Sequence, residues 1–215
     1  MSDHPFKQNF EQLPEVLPIF PLSGAVVLPG GSLSLNIFEP RYLNMVQDAM
    51  RTNQIIGMIQ PKDSATHPSL YDVGCAGRIR RYEEVEGGRL EIVIEGLCRF
   101  NIHEELNNIR GYRMVKADWR AYENDFRTTS SPSVSSHQSL IRVLRRYFEV
   151  NKLDTDWELI KQVNQVELVN NLCGYLPLSV EDKQLLIEAV DANERVKSFI
   201  AILDRGQDDS NKTWH

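Results

Sequence analysis

The hydrophobic pattern of this 215-residue chain is mostly that of strands in the first part and that of helices in the second, and this change constrains the fold more than any other feature. Up to Trp119, short apolar segments mostly alternate with polar residues, which is the period of a β-strand. After a stretch rich in serine and threonine at 128–136, apolar residues recur every three or four positions, as in helices. The chain is therefore predicted to be an α+β protein, with a strand-rich part followed by a helical part.

Most segments of the strand-rich part follow one another without a helix between them. The predicted strand segments are 16–20, 26–28, 32–38, 55–59, 77–86, 89–95, 97–102 and 112–119. The pair Gly87-Gly88 supplies the positive φ angles of a tight hairpin turn, and Pro40 fits the first position of one helix. Sequential strands of this kind favour an antiparallel or mixed barrel over a doubly wound sheet.

Four amphipathic segments make up the helical part. They are predicted at 139–150, 156–172, 179–190 and 193–203, and Ser179 begins a Ser-x-x-Asp capping box. The expected organisation is a barrel at 14–122, a linker at 123–136, a helical subdomain at 137–205 and a flexible tail at 206–215.

Composition and charge exclude several classes of protein. A net charge of −6 argues against an extensive electrostatic interface with nucleic acid or an anionic membrane. Cys75, Cys98 and Cys173 are too few for a disulfide framework and indicate a reducing compartment. The chain has neither a long apolar run nor the features of a signal peptide, so a cytoplasmic location is predicted.

Four common motifs of catalysis and metal binding are missing from the sequence. A P-loop, a Gly-x-Ser-x-Gly elbow, a His-Glu-x-x-His motif and a Cys-x-x-Cys pair are all missing. His103-Glu104-Glu105 is interpreted as a solvated strand end, and Cys98 as a small core residue. We therefore predict no catalytic residue, no cofactor and no metal site.

Arginines recur on neighbouring predicted strands, and they allow two interpretations. A basic patch on a barrel can bind RNA phosphates, whereas glutamates on the same strands favour cross-strand ion pairs. The arginines are Arg78, Arg80, Arg81, Arg89 and Arg99, and the glutamates are Glu83, Glu84, Glu86, Glu91 and Glu95.

Several short motifs, in order, resemble the N-terminal substrate-binding domain of Lon proteases. They are LPIFPL at 17–22, VLPG at 27–30, LNIFEPRY at 35–42, VGCAGRI at 73–79 and LCGYLPL at 172–178. The resemblance extends over about residues 14 to 204. It implies a PUA-like, six-stranded pseudobarrel with one helix, followed by an α-helical bundle.

Lon proteases continue into an ATPase module and a Ser-Lys peptidase module, and this chain lacks a P-loop and the length for both. The resemblance therefore implies a standalone, non-catalytic module that binds unfolded or degron-bearing polypeptides. Neither nucleic acid nor a membrane is expected as a partner. The alternative function is RNA binding, suggested by the PUA-like architecture alone.

The segment from Phe38 to Tyr42 is the candidate binding site. In one interpretation, Phe38, Glu39, Arg41 and Tyr42 border a peptide-binding surface. In the other they are structural: Glu39 faces the helix N-terminus, Arg41 pairs with a carboxylate and Tyr42 anchors the helix. An apolar groove between barrel and bundle, supplemented by sheet-edge pairing, is expected to supply the binding energy.

Overall fold

In the computed structural model, which describes residues 9–107, 110–126 and 134–210, six strands form one mixed sheet. The strands are β1 (Val16–Pro21), β2 (Ser32–Ile37), β3 (Ile55–Ile59), β4 (Val73–Val85), β5 (Arg89–Leu106) and β6 (Arg113–Asp118). Their order is β2-β5-β4-β3-β1-β6, and an additional pairing of β6 with β5 closes five of them into a ring. β1 runs parallel to β3 and the other pairs are antiparallel, which confirms the predicted mixed barrel.

The hairpin of β4 and β5 is the longest feature of the sheet. It turns at Gly87 and Gly88, whose φ angles of 80° and 70° confirm the predicted role of this pair. β5 is one strand of 18 residues, where the sequence predicted two, and Leu97 bulges out of its pairing with β4. A Cβ atom at Gly96 would lie 2.0 Å from the carbonyl oxygen of Leu28, so the close approach there requires glycine.

The segment containing Val26–Leu28 was predicted among the strands, and this prediction is wrong. The segment is irregular, yet its three side chains are buried. Instead of a ladder, the turn that follows it is held by hydrogen bonds of Gly30 and Gly31 with Gly96. Burial made the segment apolar, and the sequence pattern alone did not distinguish burial from strand pairing.

Helix α1 lies between β2 and β3, and the remaining α-helices follow the sheet. They are α1 (Pro40–Met50), α2 (Val134–Val150), α3 (Trp157–Gln162), α4 (Gln165–Tyr175), α5 (Val180–Glu188) and α6 (Ala192–Ser210), with 3-10 turns at Phe10–Gln12 and Arg120–Phe126. The single helix predicted over 156–172 is wrong, because the chain breaks at Val163 and Asn164 caps α4. Ser179 caps α5 by accepting a hydrogen bond from the Asp182 amide, as predicted.

The predicted boundaries fall partly beyond the described residues. Residues 127–133 of the expected linker and 211–215 of the expected tail lie outside them, while α6 continues to Ser210. The division into a barrel at 14–122 and a helical subdomain at 137–205 therefore stays a prediction.

Apolar packing connects the sheet to the helices. One core cluster contains Leu33 and Ile92 from the sheet together with Leu144 and Phe199 from α2 and α6. A second cluster includes Leu17, Ile19, Phe100 and Val115, contributed by β1, β5 and β6. The expected apolar groove between the two parts is thus a packed junction at these residues.

A buried ion pair crosses this junction. The guanidinium of Arg99 on β5 forms three hydrogen bonds with Asp125, at 2.8, 3.0 and 3.3 Å, and donates to the carbonyl oxygens of Ile187 and Ala189. Burial by itself would lower the pKa of Arg99, but the hydrogen bonds and the charge of Asp125 outweigh it and raise that pKa.

Further buried polar side chains of the helical part bind backbone carbonyls of the strand-rich part. Lys183 Nζ lies 2.7 Å from the Gly24 oxygen, and Asn170 Nδ2 lies 2.7 Å from the Pro29 oxygen. Arg195 donates to Asn170, and desolvation lowers the pKa of Arg195 to about 10. These contacts fix the helices against one end of the sheet, and α4 meets the outer edge of β2 only at its start, where Ser32 contacts Asn171.

Candidate functional site

The predicted site residues lie where β2 passes into α1. Glu39 and Arg41 form an ion pair of 2.7 Å, and the Arg41 guanidinium stacks 4.6 Å from the centre of the Tyr42 ring. Tyr42 is buried, with its ring 4.1 Å from that of Phe20 on β1. The structure thus brings three of the four predicted residues into contact, while Phe38 is 65% exposed.

Glu39 begins α1 through its backbone rather than its carboxylate. Its carbonyl oxygen accepts hydrogen bonds from the amides of Tyr42 and Leu43, at 2.9 and 3.0 Å. The side chain makes no capping hydrogen bond and instead holds Arg41. The carboxylate therefore orients a guanidinium at the surface.

Beside Arg41 and Tyr42 lies a small cavity, the α1 cavity, of about 150 Å³. Its other lining residues are Pro21, Ala65, Thr66, His67, Pro68, Gly111, Tyr112 and Arg113. Arg113 closes one side by pairing with Glu105 at 2.6 Å and donating to the Pro68 oxygen at 2.7 Å. Desolvation raises the pKa of Tyr42, so its phenol stays protonated at neutral pH.

The outer edge of β2 carries exposed backbone groups. β2 pairs with β5 on one side, and none of the described strands lies on the other. The amide of Ser32 points away from β5, since it donates to Asn171 Oδ1 at 3.1 Å. Because amides alternate along a strand, those of Ser34 and Asn36 also point outward, and both residues are exposed.

A groove of about 330 Å³ adjoins this edge. It is lined by Ser34, Leu35, Asn36, Arg81, Glu91, Ile92 and Val93. Phe38 lies two residues after Asn36, immediately beyond the end of β2. We call Ser34, Leu35, Asn36 and Phe38 the β2 edge.

Four of the five arginines predicted on the sheet are held by neighbouring groups, whereas the buried Nε of Arg78 has no hydrogen-bond partner among the described residues. Arg80 pairs with Glu95 on the adjacent strand, as the cross-strand interpretation predicted, and Arg81 pairs with Glu83 at 2.5 Å. Arg89 donates to the backbone oxygen of Glu86, and Arg99 is buried in the junction. These contacts favour the ion-pair interpretation of the arginines, and the RNA-binding alternative stays an untested prediction.

The cysteine thiols are built into the core. Cys75, Cys98 and Cys173 are all buried, and desolvation raises the pKa of each thiol, that of Cys173 to about 12. A thiolate is the reactive form of cysteine, so these side chains are poor nucleophiles at neutral pH. The interpretation of Cys98 as a core residue is confirmed.

The triplet at 103–105 is also structural. Glu104 pairs with Lys116 at 2.9 Å and Glu105 pairs with Arg113, and these hydrogen bonds lower the pKa of both carboxyls. Over the ranges that the structure describes, His, Cys, Asp and Glu form no group of three that could hold a metal ion. Among the same residues, no helix combines the length and apolarity needed to cross a membrane.

Sequence reasoning overlooked a basic group on α2. Arg142, Arg145 and Arg146 are exposed, and within the described part of the chain none of them forms an ion pair. Their spacing of three and four residues on a helix is the signal that places them on one face.

Comparisons with known proteins agree with these observations. Residues 16–205 match the family described as "ATP-dependent protease La (LON) substrate-binding domain". Lon protease 2 of Myxococcus xanthus is 29% identical over 92% of this chain and 24% of its own length. Lon protease of Heliobacterium modesticaldum is 25% identical over 93% of this chain. The chain spans about a quarter of the length of these relatives.

Two solved structures have the same fold. A Lon N-terminal domain protein from Xanthomonas campestris matches with a TM-score of 0.62 and 25% identity, over 86% of this chain and 97% of that one. The N-terminal domain of Mycobacterium avium complex Lon protease also matches with a TM-score of 0.62, over 88% of this chain and 98% of that one. Its identity is 15%, so it supports the fold alone.

Proposed function

The chain belongs to the family of LON substrate-binding domains, and we propose that it binds extended polypeptide segments at the β2 edge without cutting them. The family supports substrate recognition as the general role. We further propose that the β2 edge is the binding surface, that the ligand is bound in an extended form and that this chain does not catalyse its cleavage.

The open edge of β2 is the observation that carries the proposal. An extended polypeptide can add to such an edge through main-chain hydrogen bonds, which supply affinity for many different sequences. Exposed edges are usually blocked by lysine, proline or a bulge. The β2 sequence SLSLNI contains neither lysine nor proline. The outward amides of Ser34 and Asn36 are therefore accessible to an added strand.

Side chains next to the edge select among the polypeptides that pair there. The exposed ring of Phe38 offers apolar contact to a residue of the bound segment, as unfolded proteins expose apolar residues that folded ones bury. Beyond Phe38, the α1 cavity admits one small side chain between Arg41 and Tyr42. Glu39 holds the Arg41 guanidinium in place.

The test is binding to fluorescein-labelled α-lactalbumin that has been reduced and carboxymethylated, so that it stays unfolded. Asn36→Pro removes an amide that points away from β5, leaving the β2–β5 ladder intact, and Asn36→Ala is its matched control. Loss of one main-chain hydrogen bond and of close approach is expected to weaken binding about tenfold or more in Asn36→Pro, measured by fluorescence anisotropy.

Asn36→Ala is expected to bind like the unaltered chain, and Phe38→Ser to bind about fivefold more weakly, from loss of apolar contact. The labelled polypeptide should remain intact on gels with and without ATP. Equal binding by Asn36→Pro and the unaltered chain would refute the β2 edge as the binding site. Fragments of the labelled polypeptide after incubation with a clean preparation would refute the absence of catalysis.

A further inference from the structure

A second surface, remote in sequence from the β2 edge, lies on the outer side of α2. The inner side of α2 packs on α6 through residues such as Leu140 and Leu144. On the outer side, a shallow groove of about 700 Å³ extends from α2 to Lys161 of α3. We call it the α2 groove.

The α2 groove is basic in a chain that is acidic overall. Four cations line it, namely Arg142, Arg145, Arg146 and Lys161, against one carboxylate, that of Glu149. Lys161 is paired with Glu158, whereas in the described residues the three arginines form no ion pair. The guanidinium of Arg145 lies over the ring of Trp157, with its Cζ atom 4.7 Å from the ring centre.

Apolar side chains accompany these charges. Ile141 lies among the lining residues and is half-buried. Val150 at the end of α2, Leu153 in the loop that follows and Leu159 on α3 are 51%, 43% and 61% exposed. A ligand that fits this surface therefore carries both carboxylates and apolar groups.

We infer that the α2 groove docks an acidic, amphipathic peptide segment of a partner protein. Arginine binds carboxylates through paired hydrogen bonds, and three arginines on one face, with no ion pair to any residue that the structure describes, present such donors together. The face from Gln138 to Glu149 is about 17 Å long at a rise of about 1.5 Å per residue, so a helical segment of about 12 residues covers it.

Nucleic acid is the competing occupant, and two observations argue against it. The chain carries a net charge of −6, which repels a long polyanion that extends beyond the groove. Ile141 in the groove and the exposed apolar side chains of α2, α3 and the loop between them gain nothing from a phosphate backbone. A short segment with a few carboxylates satisfies both constraints.

The experiment uses a fluorescein-labelled 14-residue helical peptide with Glu and Asp on one face and Leu on the other. Its binding to the full chain is followed by fluorescence anisotropy at two salt concentrations. The test variant combines Arg142→Glu with Arg146→Glu. The control is Arg51→Glu, because Arg51 is an exposed arginine at the end of α1, distant in sequence from α2. Each protein is first checked by circular dichroism.

We expect the double variant to lose about tenfold or more in affinity, the control to change less than about twofold, and binding to weaken as salt is raised. In amide NMR spectra, the peptide should shift signals of α2 and α3 in the unaltered chain. This mapping decides the question even if the double variant does not fold.

Three results would overturn the inference: no binding by the unaltered chain at low salt, equal losses in the control, or NMR shifts confined to other elements. Preference of the same arginines for a single-stranded RNA over the peptide would assign the groove to nucleic acid instead. Asn36→Pro should bind the acidic peptide normally, so failure of the β2-edge proposal leaves this one standing.

Discussion

The arginines of the sheet and the arginines of α2 have opposite surroundings. On the sheet, Arg80 meets Glu95 across the β4–β5 ladder, and Arg99 on β5 meets Asp125 from the 3-10 turn at the junction. On α2, the residues three and four positions after Arg142 are again arginines. The sheet therefore uses its cations to hold the fold, and the helix leaves its cations available for contacts with other molecules.

The largest expected effect comes from removing the buried cation of the sheet. Arg99→Met leaves Asp125 buried without its partner and removes the donor to the carbonyl oxygens of Ile187 and Ala189. We expect the free energy of unfolding to fall by about 3–5 kcal/mol. Urea denaturation followed by circular dichroism measures this loss.

Arg80→Met is the matched control on the same sheet, because the Arg80–Glu95 pair is exposed to water. A loss of about 0–1 kcal/mol is expected there. If Arg99→Met and Arg80→Met lower the free energy of unfolding equally, burial does not determine how much an arginine of the sheet contributes to stability. The contrast between buried and exposed arginines would then be wrong.

An intermediate effect is expected on the helical side of the junction. Asn170→Ala removes the donor to the Pro29 oxygen and the acceptor of Arg195, which already has one unpartnered nitrogen. The predicted loss is about 1–3 kcal/mol in the same urea experiment. Asn171→Ala, at the next and more exposed position, should cost less, and the reverse order would contradict the assigned role of Asn170.

The smallest effect is expected from introducing on α2 an ion pair of the kind that the sheet already has. Gln138→Glu places a carboxylate four residues before Arg142, in the favourable order for a helical ion pair. A gain of about 0.3–0.5 kcal/mol is expected, removed by salt. The same change should weaken the acidic peptide at the α2 groove, whereas Gln138→Ala should not; tighter binding by Gln138→Glu would count against the groove.

Local chemistry explains how much of the fold was predictable. Gly87-Gly88, Pro40 and Ser179 each act within a few residues, and each marks the turn or helix start that the structure shows. The break before α4 was missed because apolar residues continue through Val163 at helical spacing, which hides the capping role of Asn164. The hydrophobic pattern predicts which residues are buried, but it does not predict where one helix ends.

The sites depend on information that the sequence order does not contain. The segment from Phe38 to Tyr42 was found through its local motif, and the contacts of Arg41 and Tyr42 follow from adjacency. Whether an arginine forms an ion pair instead depends on which strand or helix packs beside it. A net charge of −6 over the whole chain concealed a local excess of positive charge on α2.

The position of β1 in the ring has a consequence for the order of folding. β1 is the first strand in the chain, yet its neighbours are β3 and β6, and β6 ends at Asp118. During synthesis, one edge of β1 waits for about a hundred residues before its antiparallel partner exists, and such long-range pairing slows folding. The β4–β5 hairpin, whose contacts are local, can form first and serve as the template on which the ring closes.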